Sequence, residues 1–208
     1  MAGFLVAGMG KRAETQASKS LFIHLRVHSA FSLLEGALPI SRIVELALAD
    51  KAPAIAVTDT NNLFGALELA QKAAKAGIQP IVGCQIEIEF ERVLASSVIV
   101  RAADAEPLVF IASTETGYIN LMHLVSRAYM ESPDNSTVKL QMSWLPGHTD
   151  GLILLTGGER GPVGSVLAEH ADIAEQRLLV LKELFADRLY VELQRHHNYN
   201  QAVETRMI

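Results

Sequence analysis

A chain of 208 residues, half of them hydrophobic, carries enough apolar material for one substantial core. Its net charge of −5 supplies no basic surface for gripping phosphate backbones, which argues against a stand-alone nucleic-acid-binding module. One cysteine, Cys84, excludes an internal disulfide and a Cys-based zinc cluster and fits a reducing cytoplasm, and no stretch nears the roughly 20 apolar residues of a membrane span.

Residues 1–20, MAGFLVAGMGKRAETQASKS, do not place charge before a long apolar core as a signal peptide does, and are expected to form a flexible leader. FIHLRV (22–27) predicts a strand, and PISRIVELALADK a helix with Pro39 in its first turn. AIAVT (54–58) is a continuous apolar run of strand length, followed by a helix over LFGALELAQKAAKAG that stops at Gly77. IQPIVGCQIEIEF predicts a strand, which SSVIVR extends as a hairpin. LVFIAS (108–113) predicts a buried strand, TGYINLMHLVSRAYM a helix, and 131–140 an exposed polar loop. GLILLT (151–156), the amphipathic ADIAEQRLLVLKELFAD and RLYVELQ (188–194) complete the series.

Buried strands alternating with helices predict a parallel α/β sheet, either open and doubly wound or closed into a barrel. Strand ends favour the barrel: His28, Asp59, Gln85, Ser113, Thr156 and, beyond the last strand, His196 would all reach one mouth. In FIHLRVHS, strand alternation would put His24, Arg26 and His28 on one face. Two imidazoles so placed begin a metal site, and the guanidinium between them spoils it.

HLRVHSAFSLLEG, AVTDTNNLFGALEL, GIQPIVGCQIEI, ETGYINLMHLVSRAY, GLILLTGG and LYVELQRH occur in this order after residue 21. Together they resemble the N-terminal PHP (polymerase and histidinol phosphatase) domain of bacterial DNA polymerase III alpha subunits, the C-family replicative polymerases. The resemblance implies an irregular (βα)7-type PHP barrel over 21–208, lacking its closing C-terminal segment here. The family's metal-dependent members read H-x-H-T at the first strand, positions that match Arg26 and His28, with His24 just outside. Their T-D-H matches Thr58, Asp59 and Thr60; a glutamate matches Gln85, a histidine Pro107 and a cysteine Gly158. The histidine of E-x-Q-x-H matches His196. Of these ligands only His28, Asp59 and His196 survive, and Arg26 brings a permanent cation to the ion's place. At ~4 Å and an effective dielectric near 20, two unit charges repel by roughly 4 kcal/mol. A vestigial mouth with no bound metal and no catalytic residue is therefore expected, with Arg26 ion-paired to Asp59.

Other features have plainer readings. TGGERGPVG lacks the Lys-Ser/Thr of a phosphate loop and reads as turn chemistry. Cys84 reads as an inert core thiol, His123 as packing and EIEFER as a solvated strand edge. The resemblance implies a part of a cytoplasmic DNA-directed DNA polymerase, a nucleotidyltransferase whose magnesium-dependent palm lies outside this chain. Its partners would be the rest of the alpha subunit, the proofreading exonuclease subunit and, through the parent enzyme, DNA and deoxynucleotides. Two other functions compete: an active metal-dependent phosphoesterase or proofreading exonuclease, and a free-standing binding module unrelated to replication.

Overall fold

The apolar run at 54–60 becomes β1 (Ala54–Thr60), buried along nearly its whole length because strands or extended chain flank it on both sides. The computed structural model describes residues 22–90, 106–132, 138–194 and 204–205. Before β1 comes α1 (Ile40–Ala49), whose Ile40, Ile43, Val44 and Ala47 form the buried stripe that its periodicity predicts. After it, α2 (Ala66–Ala76) ends at Gly77, in the left-handed conformation (φ 74°) that stops a helix without steric cost. The two helices enclose Ile55, Val57, Leu69 and Ile78 in one apolar cluster.

β2 (Gln79–Glu89) is the central strand, followed by β3 (Glu106–Ala112), α3 (Glu115–Glu131), β4 (Leu140–Gln141) and β5 (Leu152–Leu155). Then come α4 (Gly164–Leu167), α5 (Ala171–Phe185) and β6 (Leu189–Tyr190). The sheet runs β1-β2-β3-β5-β6, with β4 against β2. Helix α3 is capped by Thr114, whose hydroxyl accepts from the Gly117 N–H. A second, larger cluster packs Cys84, Ile86, Phe110 and Leu154 against Leu121, Leu124, Leu181 and Phe185 of α3 and α5.

Among the described residues the fold is α/β with a six-stranded sheet that does not close, a partial barrel. It departs from the predicted parallel order at β3, which runs antiparallel to both β2 and β5. A parallel neighbour needs a crossover of a dozen or more residues, usually a helix, and the sequence between Phe90 and Glu106 has no helical pattern. The expected SSVIVR hairpin lies outside the described residues. The reversal moves Ser113 away from the mouth: its N–H and hydroxyl both donate to the Gly151 carbonyl at the opposite end of the sheet. Two further strands are shorter than expected. Residues 22–27 run beside β1 with only two backbone bonds, Ala56 N–H to His24 and Thr58 N–H to Val27, unevenly spaced and forming no ladder. The last strand pairs only at Leu189 and Tyr190. At the end of the predicted polar loop, Leu140 instead pairs with Ile88, and Gln141 just after the loop pairs with Glu89.

One face of the sheet is covered by helices. On the other, Ile81, Ile111, Ile153 and Leu155 floor an apolar trough of about 810 Å³, walled by residues 22–26 and 190–193. At one end of that trough the two walls meet through side chains.

A candidate site at the mouth of the open barrel

Arg26 lies where the walls meet. Its Nε and Nη2 donate to Gln85 Oε1 at 3.1 and 2.6 Å, and its Nη1 is shared between the two carboxylate oxygens of Glu192, each at 3.0 Å. The Glu192 N–H donates in turn to Thr156 Oγ1 at 3.0 Å, which fixes the backbone beyond β6. Gln194 Nε2 donates to Glu192 Oε1 at 2.7 Å. Gln85 passes the network on: its Nε2 donates to Thr60 Oγ1 at 3.2 Å, and the Thr60 hydroxyl donates to Glu35 Oε2 at 2.5 Å. Glu35 Oε2 also lies 3.0 Å from His28 Nδ1. His28 Nε2 is buried without a partner.

Asp59 belongs to a different arrangement. Its Oδ1 accepts from the Ser29 N–H and the Ser32 hydroxyl, both at 2.6 Å, and its Oδ2 from the Ser29 hydroxyl at 2.7 Å. The expected Arg26–Asp59 ion pair is not formed, and the reason is strand alternation. In the β1–β2 register Thr60 pairs with Gln85 and Asp59 with Cys84. Thr60 and Gln85 therefore face the trough with Arg26, while Asp59 and Cys84 face the helices. Arg26 does not simply reach bulk solvent, because all three of its nitrogens are bonded.

Arg26, His28 and Gln85 thus come together, Asp59 stands on the other face of the sheet, and His196 lies outside the described residues. His24 is exposed, its ring in edge contact with Phe22. Glu35, Glu192, Ser29 and Ser32 were not found from sequence. Glu192 had left one signal, a charge embedded in the apolar run LYVEL; the serines had left another, a three-residue spacing ahead of a glycine turn.

Neighbouring residues sharpen or correct other expectations. Cys84 is fully buried, and burial pushes its thiol far above the ordinary value, as an inert core thiol requires. The part of the acidic stretch EIEFER within β2, residues 87–89, is not an edge, since β3 pairs with Glu87 and Ile88 and β4 with Ile88 and Glu89. Glu87 is half-buried on the trough face with Oε2 unpartnered; desolvation raises its pKa, with Glu35 adding to the rise and Lys139 and Arg160 opposing it. His123 is exposed on α3, its ring 6.3 Å from that of His148, so it does not pack in the core.

A metal of the kind the PHP fold family uses does not fit these side chains. Asp59 already accepts three hydrogen bonds, and Gln85 Oε1 is occupied by the guanidinium of Arg26, a fixed cation in the mouth. Among the described residues no three His, Cys, Asp or Glu side chains converge on a point. Among them, too, no helix is long and apolar enough to cross a membrane.

The PHP domain family model matches residues 24–196, nearly the whole of this partly closed α/β barrel. The chain belongs to that family. It is 42% identical over 182 residues, 87% of its length, to the DNA polymerase III subunit alpha of Caulobacter vibrioides, and 36% identical over 182 residues to that of Buchnera aphidicola. It spans only 16% and 15% of the lengths of these relatives. A two-domain protein from Bacteroides vulgatus containing a predicted PHP-like metal-dependent phosphoesterase aligns with 79% of the chain, and the chain with 47% of it, at 15% identity and a TM-score of 0.43.

Proposed function

We propose that this chain works as the N-terminal PHP domain of a replicative DNA polymerase alpha subunit, as a bracing and docking module whose metal site has been replaced by hydrogen bonds. The observation that carries the loss of chemistry is the Arg26 guanidinium, bonded to Gln85 and Glu192 in the mouth. A metal-assisted hydrolase needs a full ligand set and an open water position, and a fixed cation there opposes both. The polymerase context is supported by the likeness to alpha subunits over 87% of the chain. In this reading magnesium serves the palm of the longer enzyme, the partners are the remainder of that subunit and its proofreading exonuclease subunit, and the place of work is the cytoplasm. Primer extension by the complete polypeptide, beside phosphodiester hydrolysis by the 208-residue chain with manganese, tests both halves. Extension without hydrolysis is expected. Manganese-dependent hydrolysis by the chain would favour the phosphoesterase reading, and a complete polypeptide without polymerase activity would remove the replicative one.

A further inference from the structure

The segment Ser29–Gly36 is a tight knuckle held from beneath by the TDTNNLFG segment. Asp59 accepts three hydrogen bonds from Ser29 and Ser32, and Asn62 Nδ2 donates to the Phe31 carbonyl at 3.1 Å. Within the knuckle, Ser32 donates to the Ser29 carbonyl, and the N–H groups of Glu35 and Gly36 donate to that of Ser32. All this polar anchoring holds an apolar crest out in water. Leu33 is 83% exposed and Leu34 wholly so, while the Phe31 ring meets that of Phe64 edge-on at 6.2 Å. Phe64, in the turn before α2, and Leu67, in the first turn of that helix, are both exposed and continue the crest.

Leu34 also has a left-handed backbone (φ 67°), where glycine or asparagine would fit at lower cost. A strained leucine with no contact to its own core does nothing for the folding of this domain. A rigid exposed crest loses little entropy on being covered, the property of a preformed interface.

We propose that this crest is the docking face for a neighbouring domain of the same, longer polypeptide, an inference that rests on the polymerase reading above. The length of the relatives supports this occupant: the chain spans 16% of the Caulobacter subunit, so most of such a polypeptide lies outside this domain and can supply a surface to cover the crest. A second copy fits less well. The apolar concavity that could receive the crest is the trough, which opens on the opposite face of the sheet from Asp59 and α2. Crest into trough would be a head-to-tail contact that propagates without closing.

The test places a photo-crosslinking benzoyl-phenylalanine at position 33 in the complete polypeptide, with a control at the exposed Glu175 on α5, and maps the products by mass spectrometry. Expected are crosslinks within one polypeptide, from position 33 to residues beyond 208, at several times the yield of the control. Crosslinks between two copies, crosslinks only to another protein, a yield equal to the control, or a polypeptide with nothing beyond residue 208 would overturn the proposal. The Leu34→Gly variant supplies a second readout in the 208-residue chain. Its melting temperature should stay level or rise, because the strain is relieved, and a fall of several degrees would show that Leu34 serves the domain's own fold. Primer extension, measured separately, reports on the polymerase reading whatever the crosslinks show.

Discussion

Arg26 and Glu192, 166 residues apart in sequence, join the two ends of the open sheet. Arg26 belongs to the segment beside β1 and Glu192 to the segment after β6, so a side-chain ion pair closes a circuit that backbone hydrogen bonds leave open. Both side chains are mostly buried, at 19% and 12% exposure.

Removing one partner of such a pair leaves the other charged and poorly solvated. Arg26→Ala should therefore destabilise the chain by about 3 kcal/mol, with Gln85 Oε1 also stripped of its donors. Arg26→Lys should recover only part of this, since one ammonium cannot reproduce a planar fork that serves Gln85 and Glu192 together. Urea midpoints of the three proteins provide the comparison. Equal midpoints would mean that the pair contributes nothing.

Asp59→Ala should cost about 3 kcal/mol or more, because three donors in a buried site lose their acceptor. The loss should concentrate in the knuckle, so amide exchange at Phe31 to Glu35 should speed up before that of β1. Uniform acceleration across the sheet would indicate a global role for Asp59.

Gly65 leaves space for three neighbours at once. A Cβ there would lie 2.9 Å from Ile40 Cδ1, 3.3 Å from Phe31 Cδ2 and 3.4 Å from Asp59 Oδ2. Gly65→Ala should accordingly destabilise by about 1–2 kcal/mol through overcrowding, read as a lowered melting temperature. A raised melting temperature would show that the lower entropy of the unfolded chain outweighs the crowding.

Glu87 sets a pH dependence of the less usual sign. Its folded pKa is raised above the ordinary 4.5, first by desolvation, so the folded state holds this proton more tightly than the unfolded chain does. Stability from this group is fully present below the unfolded pKa and declines as pH rises through the folded value. Glu87→Gln should be more stable than wild type at pH 7, and the difference should shrink towards pH 4. A difference that stays constant with pH would contradict the assignment.

Arg26→His should not restore hydrolysis. It removes the guanidinium, but Thr60 and Gln85 in the same network supply neither carboxylate nor imidazole, and Asp59 faces the other side of the sheet. Substantial manganese-dependent phosphodiester hydrolysis by this single variant would show that the remaining groups can form a working site.

The helices and the buried strands were legible because their periods are local. The stripe Ile40, Ile43, Val44 and Ala47 and the stop at Gly77 fix α1 and α2 before any tertiary contact is known. The direction of β3 was not legible, because it depends on a connection whose sequence carries no helical pattern. Within the site, Arg26, His28 and Gln85 could be picked out as residue types in a motif. The partner of Arg26 could not, because it lies 166 residues away. Assigning Asp59 to Arg26 failed on a one-residue question: whether Asp59 or Thr60 shares a face with Gln85 is set by the β1–β2 register, which the sequence of either strand alone does not state.

The replacement of a metal by hydrogen bonds is tested most directly by the metal content of the purified 208-residue chain, grown with zinc, manganese and iron and dialysed without chelator. No stoichiometric ion is predicted, since Arg26 holds Gln85 Oε1, three donors hold Asp59, and among the described residues no three His, Cys, Asp or Glu side chains converge around the unpartnered His28 Nε2. Two or three tightly held ions per chain would contradict it and restore the mouth as a metal centre.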